Sequence, residues 1–119
     1  TRIWVAAGGG VRATVVDAAN LGIPRSTPGD LRGGDAAFNG GVARRVLAGE
    51  TGPIQDAVVI NAAAALAAYA GPGNDDNVLH EALAAGLEQA RSAINSGAAA
   101  ALLERWVSYS TAKRVAERG

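Results

Sequence analysis

The stretch from Thr51 to Gly71, TGPIQDAVVINAAAALAAYAG, limits what this chain can fold into more than any other. It carries a helix start at Gly52-Pro53 and a helix stop at Gly71-Pro72. Proline in the first helical position loses no hydrogen bond, because that N–H has no partner in any helix. Asp56 falls in the first turn, where an acid suits the positive end of the dipole. Glycine at the far end can take the left-handed conformation that closes a helix. Between Ala57 and Ala70 the only polar side-chain groups are Asn61 and the hydroxyl of Tyr69. A helix apolar all round is a buried one. A membrane span needs about 20 strongly apolar residues, and this run is shorter and mostly alanine. The stretch is therefore read as a buried core helix whose small side chains let neighbours approach its backbone. Asn61, flanked by apolar residues, is predicted to be buried and fully hydrogen-bonded, since an unpaired buried amide costs about 1–3 kcal/mol.

The rest of the chain must supply the cover. Residues 2–6, RIWVA, and 11–16, VRATVV, read as strands. In the second, Val11, Ala13 and Val15 alternate with Arg12, Thr14 and Val16, the period of a half-buried strand. Ala7-Gly8-Gly9-Gly10 between them reads as a hairpin connection. Glycine-rich loops can also cradle phosphate, but no helix follows this one, so the dinucleotide and P-loop arrangements fail their context test. Residues 17–34 are irregular, punctuated by Pro24, Pro28 and several glycines. Leu21, Ile23 and Leu31 are expected to pin this segment to the body, with a single short turn at Asp30-Leu31.

Asp35 is placed as the N-cap of a helix reaching about Ala48. Phe38, Val42 and Val46 repeat every four residues and are expected to face the core, with Arg44 and Arg45 outward. Gly40-Gly41 in mid-helix costs about 1 kcal/mol per residue against alanine, which suggests close backbone packing there. Asp75 and Asp76 invite a cation reading, but two adjacent carboxylates without further spaced ligands fit a helix start better. The helix predicted over 78–95 carries Leu79, Leu83, Leu87, Ala90 and Ile94 on one side, with His80 as a surface residue. A last helix, about 98–110, has Leu102, Leu103, Trp106 and Val107 at helical spacing. Residues 113–119 are expected to fray.

Composition sets the outer limits. With 119 residues the chain suits one domain or part of a larger one, and its 49% apolar share is enough for a core. Eleven basic and eleven acidic residues cancel. No run of one sign appears, which speaks against nucleic acid or an anionic membrane as partner. Without cysteine there is neither a disulfide frame nor a thiolate metal site. A single histidine speaks against an imidazole-built metal site. The residues by themselves offer no nucleophile–base pair, no metal cluster and no cofactor fingerprint. They describe an α/β segment, a β-hairpin followed by about four helices.

Residues 21–71 nevertheless carry a spaced pattern: Gly33, Gly34 and Asp35, then Asn39, then Leu47, Gly49, Gly52 and Pro53, then Asn61-Ala62-Ala63. INSGAA at 94–99 and LLERWVSYS at 102–110 follow, and the opening TRIWVAAGGGVRATVVD fits the same frame. This series resembles the C-terminal part of anthranilate phosphoribosyltransferase over nearly the whole chain. Gly40-Gly41 departs from the family's usual alanine. The resemblance implies a place in the large α/β domain of the anthranilate phosphoribosyltransferase / nucleoside phosphorylase-like fold. It implies transfer of a phosphoribosyl group from phosphoribosyl pyrophosphate to anthranilate in tryptophan biosynthesis. It further implies Mg2+ on the pyrophosphate, a homodimer and a cytoplasmic location.

The family's catalytic motifs are a Gly-Thr-Gly-Gly-Asp phosphate loop, a Lys-His-Gly-Asn segment, an anthranilate-contacting arginine and an Asp-Glu metal pair. None lies in these residues. Arg32-Gly33-Gly34-Asp35 echoes the phosphate loop but lacks the preceding Gly-Thr and matches another family position. No catalytic, cofactor-binding or metal residue is therefore assigned here. As no methionine occurs, position 1 included, the chain is expected to be the C-terminal part of a longer enzyme, with the helical N-terminal domain and the Mg2+ site upstream. Two alternatives stand beside this: a family member with a different acceptor, and a stand-alone helical module that grips a partner through exposed apolar faces. The sequence immediately before Thr1 separates enzyme from module.

Overall fold

The computed structural model describes residues 1–117. Strands β1 (Arg2–Ala7) and β2 (Gly10–Val15) form an antiparallel hairpin. Gly8 and Gly9 make its turn with φ of 58° and 79°, the double left-handed step that matches strand twist and that glycine takes without a Cβ penalty. A single 3-10 turn (Ala18–Leu21) follows, capped by Asp17. Then come α1 (Ala36–Leu47), α2 (Pro53–Ala70), α3 (Asp76–Asn95) and α4 (Ala98–Ala116). The hairpin-then-four-helices order of the sequence reading holds. Residues 113–116, expected to fray, continue α4; Arg118 and Gly119 lie outside the described residues.

The α2–α3 pair is the centre of the structure. The leucine stripe of α3 is buried throughout: Leu79, Leu83, Leu87, Ala90 and Ile94. Two apolar clusters sit on it. Val59 and Ala63 of α2 meet Leu87, Ala90 and Ile94, with Ile23 of the irregular segment closing over them. Ala67 meets Leu79 and Leu83, with Val5 of β1 above. Half-buried Leu21 packs against both. Gly86 shows how close the helices come. A Cβ added there would lie 2.7 Å from the Ala63 carbonyl oxygen and 2.8 Å from its Cα. Glycine facing alanine brings the two backbones together, and the flanking leucines and valine then fill the sides.

Several sequence expectations are corrected by what lies next to each face. On α2 only Val59, Ala63 and Ala67 are buried. α3 covers one side, while Val58, Ala64, Ala65 and Ala68 remain exposed and Tyr69 is 94% exposed. Among the described residues α2 alone has the length and apolarity of a membrane span, and its small covered share of 17% comes from this one-sided packing. Asn61 is exposed, not buried. Its Nδ2 donates to the Ala57 carbonyl at 2.8 Å, one turn back along its own helix. In β2 the covered side is that of Arg12, Thr14 and Val16, while Val11 and Val15 are 71% and 72% exposed. The register explains the inversion. Val5 pairs with Arg12 and Ile3 with Thr14, so β1's contribution to the core fixes which face of β2 turns inward.

Along α1 only Val46 is buried; Val42 is half-buried and Phe38 exposed. Leu31 is likewise exposed and does not pin its segment, unlike Ile23. No residue of α4 is buried. Leu103 and Val107 are half-covered, and Leu102 and Trp106 stand out on its open side. Nor do Gly40 and Gly41 mark close packing. The nearest atoms to an added Cβ would be the guanidinium ends of Arg44 and Arg45, at 4.0 and 3.7 Å.

The two kinds of helical glycine predict opposite mutational signs. Gly86→Ala forces a methyl into the Ala63 backbone and is expected to destabilise by about 1–3 kcal/mol, the range for overpacking. Gly40→Ala adds a methyl in open space and is expected to stabilise by up to about 1 kcal/mol through helix propensity. Guanidinium unfolding of both variants checks the pair. Equal effects of the same sign would show that the α2–α3 approach is looser than described.

Candidate functional site

The irregular segment is held in place by short-range capping. Asp17 accepts from the Ala19 N–H at 3.1 Å and pairs with Arg25 at 2.6 Å. Asp30 closes the next turn, accepting from the Thr27 N–H at 2.7 Å and from the Thr27 hydroxyl at 2.8 Å. These bonds favour the ionised carboxylate, the backbone one most, and hold Asp30 below its ordinary pKa of 3.8. The segment ends at Gly33-Gly34, where Asn39 of α1 reaches back. Its Oδ1 accepts from the Gly34 N–H at 3.0 Å and its Nδ2 donates to the Gly34 carbonyl at 2.8 Å. Asp35 meanwhile caps α1 by accepting from the Phe38 N–H at 2.8 Å. Gly33 leaves room for this clasp, since a Cβ there would lie 2.9 Å from Asn39 Oδ1.

The clasp borders a cavity of about 440 Å³ between the segment, α1 and α2. Leu31, Phe38, Val42, Ile54 and Val58 make it mainly apolar, with Arg32 and Asn61 at its polar edge. Asn61 also borders a second hollow of about 410 Å³, which contains Asp17, Arg25, Ser26 and Asp56. Smaller hollows of about 270, 240 and 250 Å³ lie along the hairpin and its seam with α2 and α3.

The residues singled out in the sequence occupy structural places. Gly8 and Gly9 form the hairpin turn. Asp35 is a helix cap, and its acid stands where an anion would otherwise meet free N–H groups. Asp75 caps α3, accepting from the Asn77 and Val78 N–H groups at 2.9 and 3.0 Å. Asp76 pairs with Arg12, whose other nitrogen donates to the Asp75 carbonyl at 2.9 Å. His80 is exposed. Among the described residues no three His, Cys, Asp or Glu side chains come together as a metal-ion group. Asp75 and Asp76, engaged as cap and ion pair, do not fit a magnesium site. The Asn39 clasp and the Arg12 link were not anticipated. The first joins residues five apart, whose positions were noted but not their bond, and the second joins residues 64 apart, beyond any local signal.

Residues 1–100 match the glycosyl transferase family, a/b domain. The chain belongs to this family. A two-stranded hairpin followed by four helices agrees with the family's mixed α/β architecture. The chain is similar to curated anthranilate phosphoribosyltransferases. It is 55% identical to that of Salinispora arenicola over 96% of this chain and 31% of the relative. It is 57% identical to that of a Nocardioides species over 90% of this chain and 30% of the relative. With the enzyme of Saccharopolyspora erythraea it shares 52% identity over 92% of this chain and 30% of the relative. The chain thus spans about a third of the length of these family members.

The Asp30 turn gives a pH prediction. A carboxylate whose folded pKa is lowered stabilises the fold above its unfolded value, and that contribution fades as pH falls through the folded value. Thr27→Val removes the hydroxyl bond and keeps the backbone one. It is expected to move the Asp30 pKa part of the way back up, read by NMR titration of the Asp30 carboxyl carbon. An unmoved pKa would mean that the hydroxyl bond contributes nothing.

Proposed function

We propose that this chain is the C-terminal part of the large α/β domain of an anthranilate phosphoribosyltransferase of tryptophan biosynthesis. The complete enzyme joins the phosphoribosyl group of phosphoribosyl pyrophosphate to the amine of anthranilate and releases pyrophosphate. The observation that carries this reading is the similarity, over nearly all of this chain, to family members bearing that name. As pyrophosphate leaves, the sugar carbon gains positive charge. Catalysis then rests on holding the departing anion and aiming a weak aromatic amine in line. In this reading the phosphate loop, the acceptor contacts and the magnesium-holding carboxylates belong to the upstream part of the enzyme. The complete protein works in the cytoplasm as a homodimer.

The role left for these residues is support. The exposed apolar faces of the hairpin, α2 and α4 suit cover by the remainder of the same chain, because contiguous exposed apolar surface marks a missing neighbour. The hollow beside the Asn39 clasp is lined mainly by apolar side chains, a poor seat for a diphosphate.

The complete enzyme is expected to consume anthranilate, followed by its fluorescence, only when phosphoribosyl pyrophosphate and magnesium are both present. Residues 1–119 alone should show no heat of binding with either substrate in calorimetry. Binding of phosphoribosyl pyrophosphate by the isolated residues would overturn the placement of the site. A complete enzyme that ignored anthranilate and modified another acceptor would overturn the choice of substrate.

A further inference from the structure

Asn39 is the only asparagine of the chain followed by glycine. Asparagine–glycine pairs are chemically labile because glycine offers no side chain to hinder attack of its backbone nitrogen on the neighbouring amide. That attack forms a bond from the Gly40 nitrogen to Asn39 Cγ and expels the side-chain nitrogen as ammonia. The Gly40 N–H proton passes by way of water to that departing nitrogen, which completes the ammonia. Water then opens the resulting succinimide ring on one side or the other, giving aspartate or isoaspartate.

We infer that Asn39–Gly40 is a deamidation site that the fold holds closed through the Asn39 clasp and the first turn of α1. Two features hold it closed. Both polar atoms of the Asn39 carboxamide are engaged by Gly34, at 3.0 and 2.8 Å, so Cγ cannot rotate towards its own backbone without losing both bonds. Gly40 lies within α1, where its N–H is part of the helix ladder and must leave it before it can attack. The guard is as strong as the first helical turn, and that turn rests on the Asp35 cap, bonded to the Phe38 N–H at 2.8 Å. No substituent at position 40 is needed for packing, since an added Cβ would meet only the end of Arg44 at 4.0 Å. The lability is therefore a cost without a packing benefit.

Reaction would be one-way for the structure as well as for the chemistry. Aspartate at position 39 has no donor for the Gly34 carbonyl and sets a negative oxygen against it. The clasp would open, and the segment around Arg32 that lines the 440 Å³ cavity would lose its tie to α1. This inference is independent of the proposed enzymatic reading.

The test is peptide mapping of the protein after incubation at mildly alkaline pH, with Asn95–Ser96 as internal reference. Conversion at Asn39 should be at least tenfold slower in native buffer than in guanidinium, where Gly40→Ala should suppress it. Asp35→Ala should speed the native reaction at Asn39 about fivefold, the population change expected from a lost N-cap, and leave Asn95 unchanged. Asp35→Ser, which keeps a capping oxygen, should restore the slow rate. Asn39→Asp should be cut by trypsin after Arg32 faster than the wild type. If Asp35→Ala unfolds the whole chain, Asn95 accelerates with Asn39, and the wild-type comparison in native buffer and guanidinium decides. Equal wild-type rates in the two conditions would overturn the inference. So would a folded Asp35→Ala protein whose Asn39 rate is unchanged.

Discussion

The close contact of Gly86 with the Ala63 backbone is the constraint on which the rest of the structure depends. An alanine-rich helix such as α2 offers little apolar area per side chain, so it cannot be held by large interlocking residues. It gains cohesion by proximity. Dispersion between atom pairs is weak singly and falls off steeply with separation, and only a glycine on the facing helix brings the two backbones into range. With that contact made, Val59 and Ala67, one turn to either side of Ala63, meet the α3 leucines at the right height. Ile23 and Val5 then have surfaces to close over. Neither apolar cluster could form around an α2 standing farther from α3.

Electrostatics sets orientation within this frame more than it adds stability. Arg12 ties the hairpin to the start of α3 through Asp76 and the Asp75 carbonyl. A cation near the positive end of a helix is unfavourable by itself, and the two acids at this N-terminus offset it. The pairs Arg44–Glu104 at 3.3 Å and Arg45–Glu50 at 2.9 Å are about half exposed, and such surface pairs contribute little. Arg44–Glu104 still matters geometrically, because it links α1 to α4, a helix with no buried residue of its own. The Arg12 Nε is buried without a partner. That places a cost on the link at the point where its other nitrogens are well satisfied.

Much of this was legible in the sequence where the signal is local. The Asp35 cap, the helix start beside Asp75-Asp76, the stop at Gly71, the Gly8-Gly9 turn and the α3 leucine stripe follow from chemistry within a few residues. What could not be read is which apolar faces have cover. Phe38, Val42 and Val46 share one helical spacing, yet only Val46 meets neighbours that bury it. Asn61 looked buried because its flanks are apolar, but apolar flanks do not supply a neighbour. Gly40-Gly41 and Gly86 look alike in the sequence and differ in what stands opposite them. Of the candidate site, the Gly33-Gly34-Asp35 and Asn39 positions were visible as a spaced pattern, whereas the clasp joining them appears only once α1 folds back on the segment.

The hairpin has two apolar faces. Its inner face places Ile3 and Val5 beside Arg12 and Thr14, while its outer face holds Trp4, Ala6, Val11, Ala13 and Val15, with Arg2 at its end as the one charged residue. Trp4 is 64% exposed there and stands opposite Ala13. A strand pair built for one wet side would carry polar residues on that side, as antiparallel sheets commonly do. Apolar residues on both faces are instead the pattern of strands covered from above and below, which is how sheets sit in α/β domains. An isolated hairpin is at best marginally stable in water, and three or more strands or a packed helix are needed to hold it. Here α2 and α3 cover the inner face through Val5, and the outer face still has a tryptophan and two valines to bury. The proposed place of this chain in a larger α/β domain answers that need directly. It also accounts for an arginine, Arg12, spent on fixing the hairpin's angle to α3: a hairpin that must meet further structure has to be held in one orientation to meet it.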